Sequence, residues 1–503
     1  MAQPILILGA GINGAALARE LAINGLSVCL VDKADLSAGA TAYSSRLIHG
    51  GLRYLEYGEY DLVRESLAER GRLLQLVPEF VKPLRLYIPV ERRRGGLLQS
   101  AARFVGLERL AVGPPKRGLW MIQAGLVMYD LLARDATLPR HRTERVGSGG
   151  CPPVNPRHYR WLCSYSDAQI QYPERFVVAL LADARAAARE RGVEFEFFNY
   201  STAELQGRTA TVRSADGAEL RRFEPAAIIN ATGAWVDRTL AALHITAPRL
   251  MGGTKGSHLV VRSTALRGAL TSGGLYAEAA DGRPVFVLPF GELSLVGTTD
   301  IPFDGDPAAA VASAEEVDYL ISTVNRLLPE ARVIRDEVLL HYSGVRPLPA
   351  ANPSRPAAIT RRHWMQEQPD ASVPTYSIIG GKLTTCRSLA EDACNTLFAR
   401  LGLKRQADTR DRPIRPTIDI AVPGAPGSTS HLGQVIREEW VARLDDLVER
   451  RLMLLYDPSL SRAMLVELAK ALVAEGRLAA SNVNSAVDSV VDRLRTHFGR
   501  IVA

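Results

Sequence analysis

Cysteine is scarce and scattered in this sequence. The chain has 5 cysteines among 503 residues, and no two of them form a CxxC pair. This spacing argues against a disulfide framework, a zinc finger or an iron–sulfur cluster. Few and separated cysteines fit a reducing compartment best, so we expect a cytoplasmic environment.

Long apolar runs are also missing. No stretch of about 18 apolar residues occurs, so the sequence predicts no helix that spans a bilayer. The first residues, MAQPILILGAG, lack a basic start and turn to glycine after a short apolar run, which is unlike a signal peptide. If the protein meets a membrane, we expect it to lie on the surface.

The chain also lacks an extreme charge. Apolar residues make up 47% and charged residues 23% of the sequence, and the formal net charge is +7. This composition is that of a globular protein, and the length predicts two or three domains. A charge of this size does not require a nucleic acid, and we expect no nucleic-acid partner. Anionic substrates or an anionic membrane surface suit it equally well.

A glycine-rich turn near the N-terminus is the first feature that carries chemistry. A short apolar strand leads into Gly9, Gly11 and Gly14, and a helical segment and a second strand then end at Asp32. Gly9 permits the tight turn, Gly11 lets the backbone approach a pyrophosphate, and Gly14 lets the helix pack on the strand. The helix N-terminus favours phosphates. Asp32 stands where a carboxylate binds a ribose diol, which argues against NADP and leaves FAD and NAD open.

Two later turns favour a flavin. The first contains Thr232 and Gly233 and follows an apolar strand, a pattern typical of flavoproteins with two dinucleotide-binding domains. The second, Gly-Gly-Lys-Leu-Thr-Thr at 380–385, begins a helix whose N-terminus favours the negative charge of a reduced flavin. Its candidate cofactor-binding residues are Gly381, Lys382, Leu383 and Thr384. The three turns together predict FAD.

Other segments show the periodicity of strands or helices. Short apolar runs predict strands at 5–8, 26–31, 227–230, 258–261, 285–289, 294–296 and 376–379. Longer periodic runs predict helices at 15–23, 59–77 and 173–191. The segment 404–430 is rich in Pro, Gly and Ser and predicts a linker, and apolar residues at helical spacing beyond it predict a small helical domain.

Several motifs resemble the FAD-dependent glycerol-3-phosphate dehydrogenase family and follow the order of that family. The first is Ser-Ser-Arg-Leu-Ile-His-Gly-Gly-Leu-Arg-Tyr-Leu-Glu at 44–56. The others are Lys-Gly-Ser-His at 255–258, Gly-Thr-Thr-Asp at 297–300, Tyr-Ser-Gly-Val-Arg-Pro-Leu at 342–348, Ala-Ile-Thr-Arg at 358–361 and the turn at 380–385. The likeness runs from about residue 4 to about residue 395. Arg46 stands where bacterial relatives commonly carry lysine, a change that keeps the charge.

The resemblance implies an α/β fold of the two-dinucleotide-binding-domain flavoprotein type. A substrate cap of α+β structure, built on an antiparallel sheet, is inserted into the flavin domain, and a small helical domain follows. The implied FAD-binding domain covers 1–85, 160–250 and 345–400. The implied cap covers 86–159 and 251–344, the linker 401–430 and the C-terminal helical domain 431–503.

The resemblance also implies the reaction and its setting. The family oxidises sn-glycerol 3-phosphate to dihydroxyacetone phosphate by hydride transfer to FAD and passes the electrons to a membrane quinone. It implies a peripheral location on the cytoplasmic face of the inner membrane, or in the cytoplasm, and allows a homodimer.

Site residues follow from the motifs. The implied phosphate clamp consists of Arg53, Tyr54, Arg346, Arg361 and Lys382. A phosphate dianion needs several fixed cations, and arginine forks suit it best, so the residue types support this assignment. The remaining candidates are Lys255, Thr298 and Thr299 for the substrate and Ser44 and Ser45 for the cofactor.

Oxidation of a secondary alcohol needs a group that takes the hydroxyl proton. His49 and His258 are the candidates, and either could instead only fix its loop. We favour His258 slightly, because it begins a strand over the expected site. Arg346 would stabilise the forming alkoxide, so that a weak base suffices.

The stretch 85–117 is dense in arginine and lysine, with apolar residues between them. Its basic residues include Arg92, Arg93, Arg94, Arg103, Arg109, Lys116 and Arg117. This is the composition of a basic amphipathic element that binds an anionic membrane surface, although a solvated cap loop would look similar.

Three alternatives stay open at this point. An amine or amino-acid oxidase would share the fold but would need an arginine for a carboxylate and no cationic clamp of five members. A flavin-bearing assembly or tRNA-interaction protein would show basic patches without a phosphate pocket. The same oxidation of another polyol phosphate, such as a tetritol phosphate, also agrees with the sequence, because the clamp would bind the phosphate group and would not distinguish the number of carbon atoms.

Overall fold

The computed structural model describes residues 3–93, 118–133, 135, 137–350, 362–417 and 429–503. Its strands are β1 Ile5–Leu8, β2 Val28–Val31, β3 Leu47–Ile48, β4 Val81–Val90, β5 Arg142–Arg145, β6 Trp161–Ile170, β7 Phe195–Phe198, β8 Ser201–Gln206, β9 Thr209–Ser214, β10 Glu219–Phe223, β11 Ala227–Asn230, β12 Met251–Val261, β13 Gly274–Glu278, β14 Pro284–Phe290, β15 Leu293–Gly297, β16 Ile301–Pro302, β17 Val338–Pro349, β18 Trp364–Glu367 and β19 Thr375–Ile379.

The α-helices are α1 Ile12–Ile23, α2 Tyr60–Leu76, α3 Leu119–Ala133, α4 Pro173–Arg191, α5 Val236–Ala242, α6 Thr264–Ala269, α7 Ala314–Leu327, α8 Cys386–Leu401, α9 Thr429–Glu438, α10 Leu444–Asp446, α11 Arg462–Ala474 and α12 Val483–Phe498. A π-helical turn, Leu447–Arg451, continues α10 directly. Short 3₁₀ helices include Leu52–Tyr57 and Leu454–Tyr456. Each strand and helix predicted from periodicity is present, with bounds that shift at their ends.

A six-stranded sheet forms the flavin-binding side. Its order is β18-β19-β11-β1-β2-β7, and all neighbours are parallel except β18 and β19. The residues of β1, β2, β11 and β19 are buried, as expected for a parallel sheet covered on both faces. Because β1, β11 and β19 run in the same direction, the three turns that follow them lie at one edge of the sheet.

Helices cover this sheet and enclose α1. Helix α1 packs against α4 and α8 and is buried along almost its whole length. Its two buried charges are paired, since Arg19 Nε lies 2.6 Å from Asp183 Oδ2 and Glu20 binds Arg405 and Thr409. The described part of the expected linker, residues 401–417, is therefore bound to the flavin domain by ion pairs and hydrogen bonds.

A ten-stranded sheet forms the cap. Its main path is β16-β12-β15-β14-β13-β4-β6-β3, with β17 paired to β12 and β5 to β6. All its pairings are antiparallel except that of β4 with β13. Strands β4 and β17 lie wholly in this sheet although the expected domain boundaries at 85 and 345 cross them, and the boundaries themselves stay a prediction.

The C-terminal helices pack directly on the cap sheet. Leu447, Phe498 and other apolar residues of α9 to α12 share one buried core with Leu340 and Tyr342 of β17. This common core means that the helical domain and the cap are one packed unit.

The expected α/β class, with an antiparallel cap and a C-terminal helical region, is confirmed. Within the described residues, no helix is both long enough and apolar enough to cross a membrane.

Candidate active site

A cavity of about 600 Å³ lies where the two sheets meet, at the carboxyl ends of β1, β11 and β19. Ligands of open α/β sheets bind in this position. The predicted site residues that line it are Gly9, Gly11, Asp32, Ser44, Ser45, His49, Tyr54, Thr232, Gly233, His258, Arg346, Gly381, Lys382, Leu383 and Thr384.

Five predicted residues lie elsewhere. Gly14, Arg53, Lys255, Thr298 and Thr299 do not line the cavity. Arg361 lies outside the described residues. Whether these residues act on substrate or cofactor stays a prediction.

The glycine turn has the geometry expected of a dinucleotide site. Gly9 has φ +101°, in the left-handed region, and its amide donates to Val31 O at 2.8 Å. A Cβ on Gly14 would lie 1.9 Å from Gly9 O, so only glycine lets α1 pack against β1 here. A Cβ on Gly11 would meet nothing closer than Thr41 Oγ1 at 3.3 Å, which leaves the backbone open towards the cavity. Gly14 is thus required for the packing of α1 on β1, and Gly11 leaves room for a ligand to approach the backbone.

Asp32 braces this turn from the end of β2. Its carboxylate accepts hydrogen bonds from Ala10 N at 2.7 Å and Ala34 N at 2.9 Å. Burial raises the pKa of Asp32 to about 6, although the two amide hydrogen bonds act in the opposite direction. A ribose diol at this carboxylate would be held by an acceptor that the backbone has already oriented.

The turns that follow β11 and β19 lie at the same edge of the six-stranded sheet as the glycine turn. Thr232 donates through Oγ1 to Asn230 Oδ1 at 2.6 Å, which shapes the turn after β11. Gly380 and Gly381 have φ +76° and +97°, and a Cβ on Gly381 would lie 2.4 Å from Asn13 Nδ2. The Oδ1 atom of Asn13, which also lines the cavity, is buried and has no hydrogen-bond partner among the described residues.

These features fit a flavin dinucleotide. The cavity runs from the glycine turn and Asp32 to the turn at 380–385, and glycines stand where a side chain would block it. The N-terminus of α1 directs its partial positive charge towards a pyrophosphate at this turn. The unsatisfied Asn13 Oδ1 supplies an acceptor in the same wall.

One group of predicted substrate-binding residues lies at the turn 380–385. Lys382 Nζ lies 4.1 Å from the centre of the Tyr54 ring, and the Tyr54 ring lies 6.5 Å from that of His49. The Thr384 hydroxyl accepts from His49 N at 3.1 Å and so joins the turn to the loop at 44–56. This contact places Lys382, Tyr54 and His49 on one wall.

Arg346 faces them from β17 and is held in a fixed position. Its Nη1 donates to Asp300 Oδ1 at 2.9 Å and Thr254 Oγ1 at 3.2 Å. Its Nη2 donates to Thr298 Oγ1 at 2.9 Å and Thr299 O at 3.0 Å. Thr298 therefore supports the guanidinium from behind, and a fixed guanidinium suits an anionic ligand.

His258, on β12, is buried and lines the same cavity. Its Nε2 is 2.9 Å from Ser45 Oγ, and its ring stacks on Tyr342 at 5.0 Å between centroids. Burial first, and then the charges of Arg346 and Arg46, lower the pKa of His258 to about 3. The imidazole is therefore neutral at physiological pH and able to accept a proton.

Strand β12 presents two different faces. Gly256 and His258 line the cavity, whereas Lys255 and Ser257 point to the other side, because side chains alternate along a strand. There Lys255 Nζ lies 2.7 Å from Glu316 Oε2, and Ser257 Oγ donates to Glu316 Oε1 at 2.7 Å. Thr299 Oγ1 also donates to this carboxylate at 2.7 Å. Lys255 and Thr299 thus belong to a buried network behind the site.

A second buried network was not foreseen from the sequence. Asp167 Oδ1 accepts from Gly50 N at 3.1 Å, from Tyr129 OH at 2.6 Å and from Arg70 Nη1 at 2.9 Å. It fixes the loop that carries His49 and Tyr54. The residues are far apart in the chain, and no motif of the sequence analysis connects them.

Comparison with known proteins identifies the family. A family model described as FAD dependent oxidoreductase matches residues 4–368. The chain is 36% identical to a glycerol-3-phosphate dehydrogenase of Synechocystis, over 84% of this chain and 74% of that protein. It is 34% identical to the D-erythritol 1-phosphate dehydrogenase of Brucella abortus, over 80% of this chain and 76% of the relative.

The chain belongs to the FAD-dependent oxidoreductase family that includes the glycerol-3-phosphate dehydrogenases. Its cofactor is FAD, as the three turns predicted. The crystal structure of the FAD complex of a glycerol-3-phosphate dehydrogenase from Bacillus halodurans superposes with a TM-score of 0.67 at 17% identity. That likeness covers 98% of this oxidoreductase and 94% of the other chain, and it supports the same fold through the C-terminal helices.

Proposed function

We propose that this oxidoreductase converts sn-glycerol 3-phosphate to dihydroxyacetone phosphate. The observation that carries the proposal is that Lys382, from the turn after β19, and Arg346, from β17, line one cavity together with the neutral His258. The two cations can bind the phosphate of the substrate, and a neutral imidazole can accept the proton of its hydroxyl group. The names of the relatives agree with this substrate class.

FAD, when bound, supplies the acceptor for the hydride that leaves the substrate carbon. The backbone of the Gly9–Gly14 turn and the N-terminus of α1 would hold its pyrophosphate, and Asp32 its ribose. The turn at 380–385 would hold the flavin end, where Lys382 places a positive charge.

His258 would receive a proton at Nε2 through Ser45 Oγ, which lies 2.9 Å away. The serine hydroxyl would give its own proton to Nε2 and take the hydroxyl proton of the substrate in exchange. An imidazole with a pKa near 3 is a weak base, so the alkoxide needs electrostatic help. Arg346 supplies it, because Asp300 and Thr298 already hold the guanidinium in place and little reorganisation is needed.

Anaerobic flavin reduction tests the proposal. Purified holoenzyme is mixed with sn-glycerol 3-phosphate, a tetritol phosphate, glycerol, glycine or a D-amino acid, and flavin bleaching is followed. We expect fast bleaching by a polyol phosphate and little by glycerol. Fast bleaching by an amino acid, with none by the phosphates, would replace the proposal with an amino-acid oxidase.

A tetritol phosphate is the second candidate substrate. The similarity to the Brucella abortus D-erythritol 1-phosphate dehydrogenase favours it, at an identity close to that of the glycerol-3-phosphate dehydrogenase relative. The ratio of kcat/KM for the two phosphates in the same assay decides between them.

We further propose that the electrons pass to a membrane quinone and that α3 helps the protein to bind the bilayer. Val127, Met128 and Leu131 are 46%, 39% and 71% exposed on the outer side of α3. The exposed side chains of Arg140 and Arg142 lie close to this helix, because Gln123 Nε2 on α3 donates to Thr143 Oγ1 on β5. An apolar face beside arginines suits an anionic lipid surface.

Most of the basic stretch expected to bind the membrane, residues 94–117, lies outside the described residues. Arg92 and Arg93 are exposed at its start, and α3 begins just beyond its end. The proposed location is the cytoplasmic face of the membrane, with the cytoplasm as the alternative. A homodimer stays a prediction.

Vesicle sedimentation tests the lipid surface. Met128→Glu/Leu131→Glu should bind anionic vesicles more weakly than the parent protein and reduce quinone more slowly, with unchanged reduction of a soluble dye. Leu220→Glu/Leu403→Glu is the control for general effects, because it adds two charges at apolar side chains that are each 45% exposed outside α3. Equal binding of the parent and the α3 variant would assign the membrane contact to another surface.

A further inference from the structure

The segment 35–46, here called the flavin loop, forms a large part of the cofactor wall. Its residues 38–41 and 43–46 line the cavity. The loop also braces the glycine turn, since Ser37 N donates to Ala10 O at 3.1 Å and Thr41 Oγ1 accepts from Ile12 N at 3.1 Å. It consists of turns and bends without a helix or strand. Its conformation therefore depends on side-chain anchors.

The start of the loop is anchored by a buried ion cluster. The carboxylate of Asp35 accepts from Arg451 Nη1 and Nη2, both at 2.8 Å, and from Arg450 Nε at 2.6 Å. The side chains of Asp35 and Arg451 are fully buried, and that of Arg450 is 4% exposed. Both arginines belong to the π-helical turn of the C-terminal domain.

The middle and the end of the loop are anchored to the same domain. The ring of Tyr43 lies 5.9 Å from that of His497 and 6.1 Å from that of Phe498, both on α12. Arg46, which is fully buried, donates to Tyr456 OH at 2.5 Å. The other partners of Arg46 lie outside the C-terminal domain: it donates to Glu174 Oε1 on α4 at 2.6 Å, to Gln171 O at 2.7 Å and to Ala42 O at 3.0 Å.

These contacts give the C-terminal domain control over the loop. A buried carboxylate that loses its guanidinium partners is strongly destabilised and tends to move to solvent. If Asp35 or Arg46 lost its partners, the loop would leave its position on the glycine turn. The apparent affinity for FAD would then fall in proportion to the fraction of molecules with the loop in place.

We propose that the C-terminal helical domain is an intramolecular clamp that holds the flavin loop in its FAD-binding conformation. Asp35, Tyr43 and Arg46 are its attachment points, and Arg451 and Tyr456 are positioning residues that act through them. The proposal concerns the cofactor only, so it stands or falls separately from the proposed substrate.

The test measures FAD affinity in the full-length protein. The flavin is removed from each variant, and FAD is titrated back while the quenching of flavin fluorescence is followed. We expect Arg451→Met to raise the Kd for FAD at least about 10-fold, which corresponds to a loop in place in about a tenth of the molecules. Tyr456→Phe removes only one hydroxyl and should raise the Kd by a smaller factor, about 2- to 5-fold.

Arg175→Met is the matched control. Arg175 Nη2 donates to Glu439 Oε1 at 2.8 Å, so this pair joins the same two domains through an equally buried ion pair, but Arg175 touches neither the loop nor the cavity. It should lower the unfolding temperature and leave the Kd within about twofold of the parent value.

Two results would overturn the proposal. One is an Arg451→Met variant that circular dichroism shows to be folded and that binds FAD with the Kd of the parent protein. The other is an equal rise of the Kd in Arg175→Met, which would reduce the clamp to general stabilisation. Arg493 on α12 offers a further variant, because its Nη2 donates to Tyr43 OH of the loop at 3.5 Å. If Arg451→Met does not fold, Tyr456→Phe and Arg493→Met decide in the same way: parental Kd values in both would refute the clamp.

Discussion

The two sides of the cavity are built by different means. On the flavin side, the groups that would hold FAD are mainly backbone amides in turns of adjacent residues, at Gly9–Gly14 and 380–385. On the substrate side, His258 and Arg346 are side chains from different strands, and each is held by partners far away in the sequence. Binding by backbone groups requires open space and the correct backbone conformation, whereas binding by side chains requires charge and the hydrogen bonds that hold each side chain. Substitutions on the flavin side should therefore impair FAD binding, and substitutions on the substrate side should slow the reaction.

The largest effect should come from Gly11→Val on the flavin side. A Cβ at Gly11 fits in the protein, with Thr41 Oγ1 at 3.3 Å, but a valine side chain would occupy the approach of the pyrophosphate. We expect a folded protein without flavin, measured by the ratio of absorbance at 450 to 280 nm. Gly14→Val should instead not fold, because its Cβ would collide with Gly9 O at 1.9 Å. Full flavin occupancy in Gly11→Val would mean that the cofactor lies elsewhere.

The next effect is expected from His258→Ala on the substrate side. If His258 takes the proton, its loss should slow anaerobic flavin reduction by about 10²–10⁴-fold, while FAD stays bound. Stopped-flow bleaching with sn-glycerol 3-phosphate measures this rate. His49→Ala should have a milder effect, since the described contacts of its backbone with Thr384 persist. A nearly normal rate in His258→Ala would make this histidine a structural residue.

The smallest expected effect is the contribution of His258 to the pH dependence of the free energy of unfolding. The pKa of His258 is lowered from 6.5 to about 3, so the unfolded chain binds one more proton than the folded protein between these values. The contribution of the neutral histidine to stability is complete above pH 6.5 and is lost as the pH falls, at about 1.4 kcal/mol per pH unit. His258→Gln should remove this slope. Urea unfolding at pH 5 and pH 7 measures it, and an equal pH dependence in both proteins would contradict a buried neutral imidazole.

The sequence predicted the flavin side more completely than the substrate side, and the reason is locality. The roles of Gly9 and Gly14 follow from spacing within one turn, and the structure gives both the expected geometry. Lys255 was placed on the substrate because it shares a motif with His258. The two differ by three positions, and alternation along a strand puts them on opposite faces. This alternation can be read from the sequence, and a role of Lys255 in substrate binding stays a prediction.

The partners of Asp35 could not be predicted from the sequence. Asp35 pairs with Arg450 and Arg451, more than 400 residues later in the chain, and no periodicity links such distant charges. The same holds for Asp167 on β6, which binds the backbone of Gly50 across 117 positions of the chain. Buried ion pairs between domains arise from packing, which a single sequence does not display.

One measurement tests the central claim most directly. Flavin reduction by sn-glycerol 3-phosphate and by glycerol is compared in the parent enzyme, Lys382→Ala and Arg346→Ala. Each cation should contribute about 1.5–3 kcal/mol to phosphate binding, so kcat/KM for the phosphate should fall roughly 10- to 150-fold in each variant. The slow reaction with glycerol, which has no phosphate to lose, should change much less in Lys382→Ala. In Arg346→Ala the glycerol reaction should slow as well, because the alkoxide also loses its stabilisation, but the loss should be smaller than with the phosphate. Equal losses for both substrates in Lys382→Ala would show that this cation does not bind phosphate and would contradict the account.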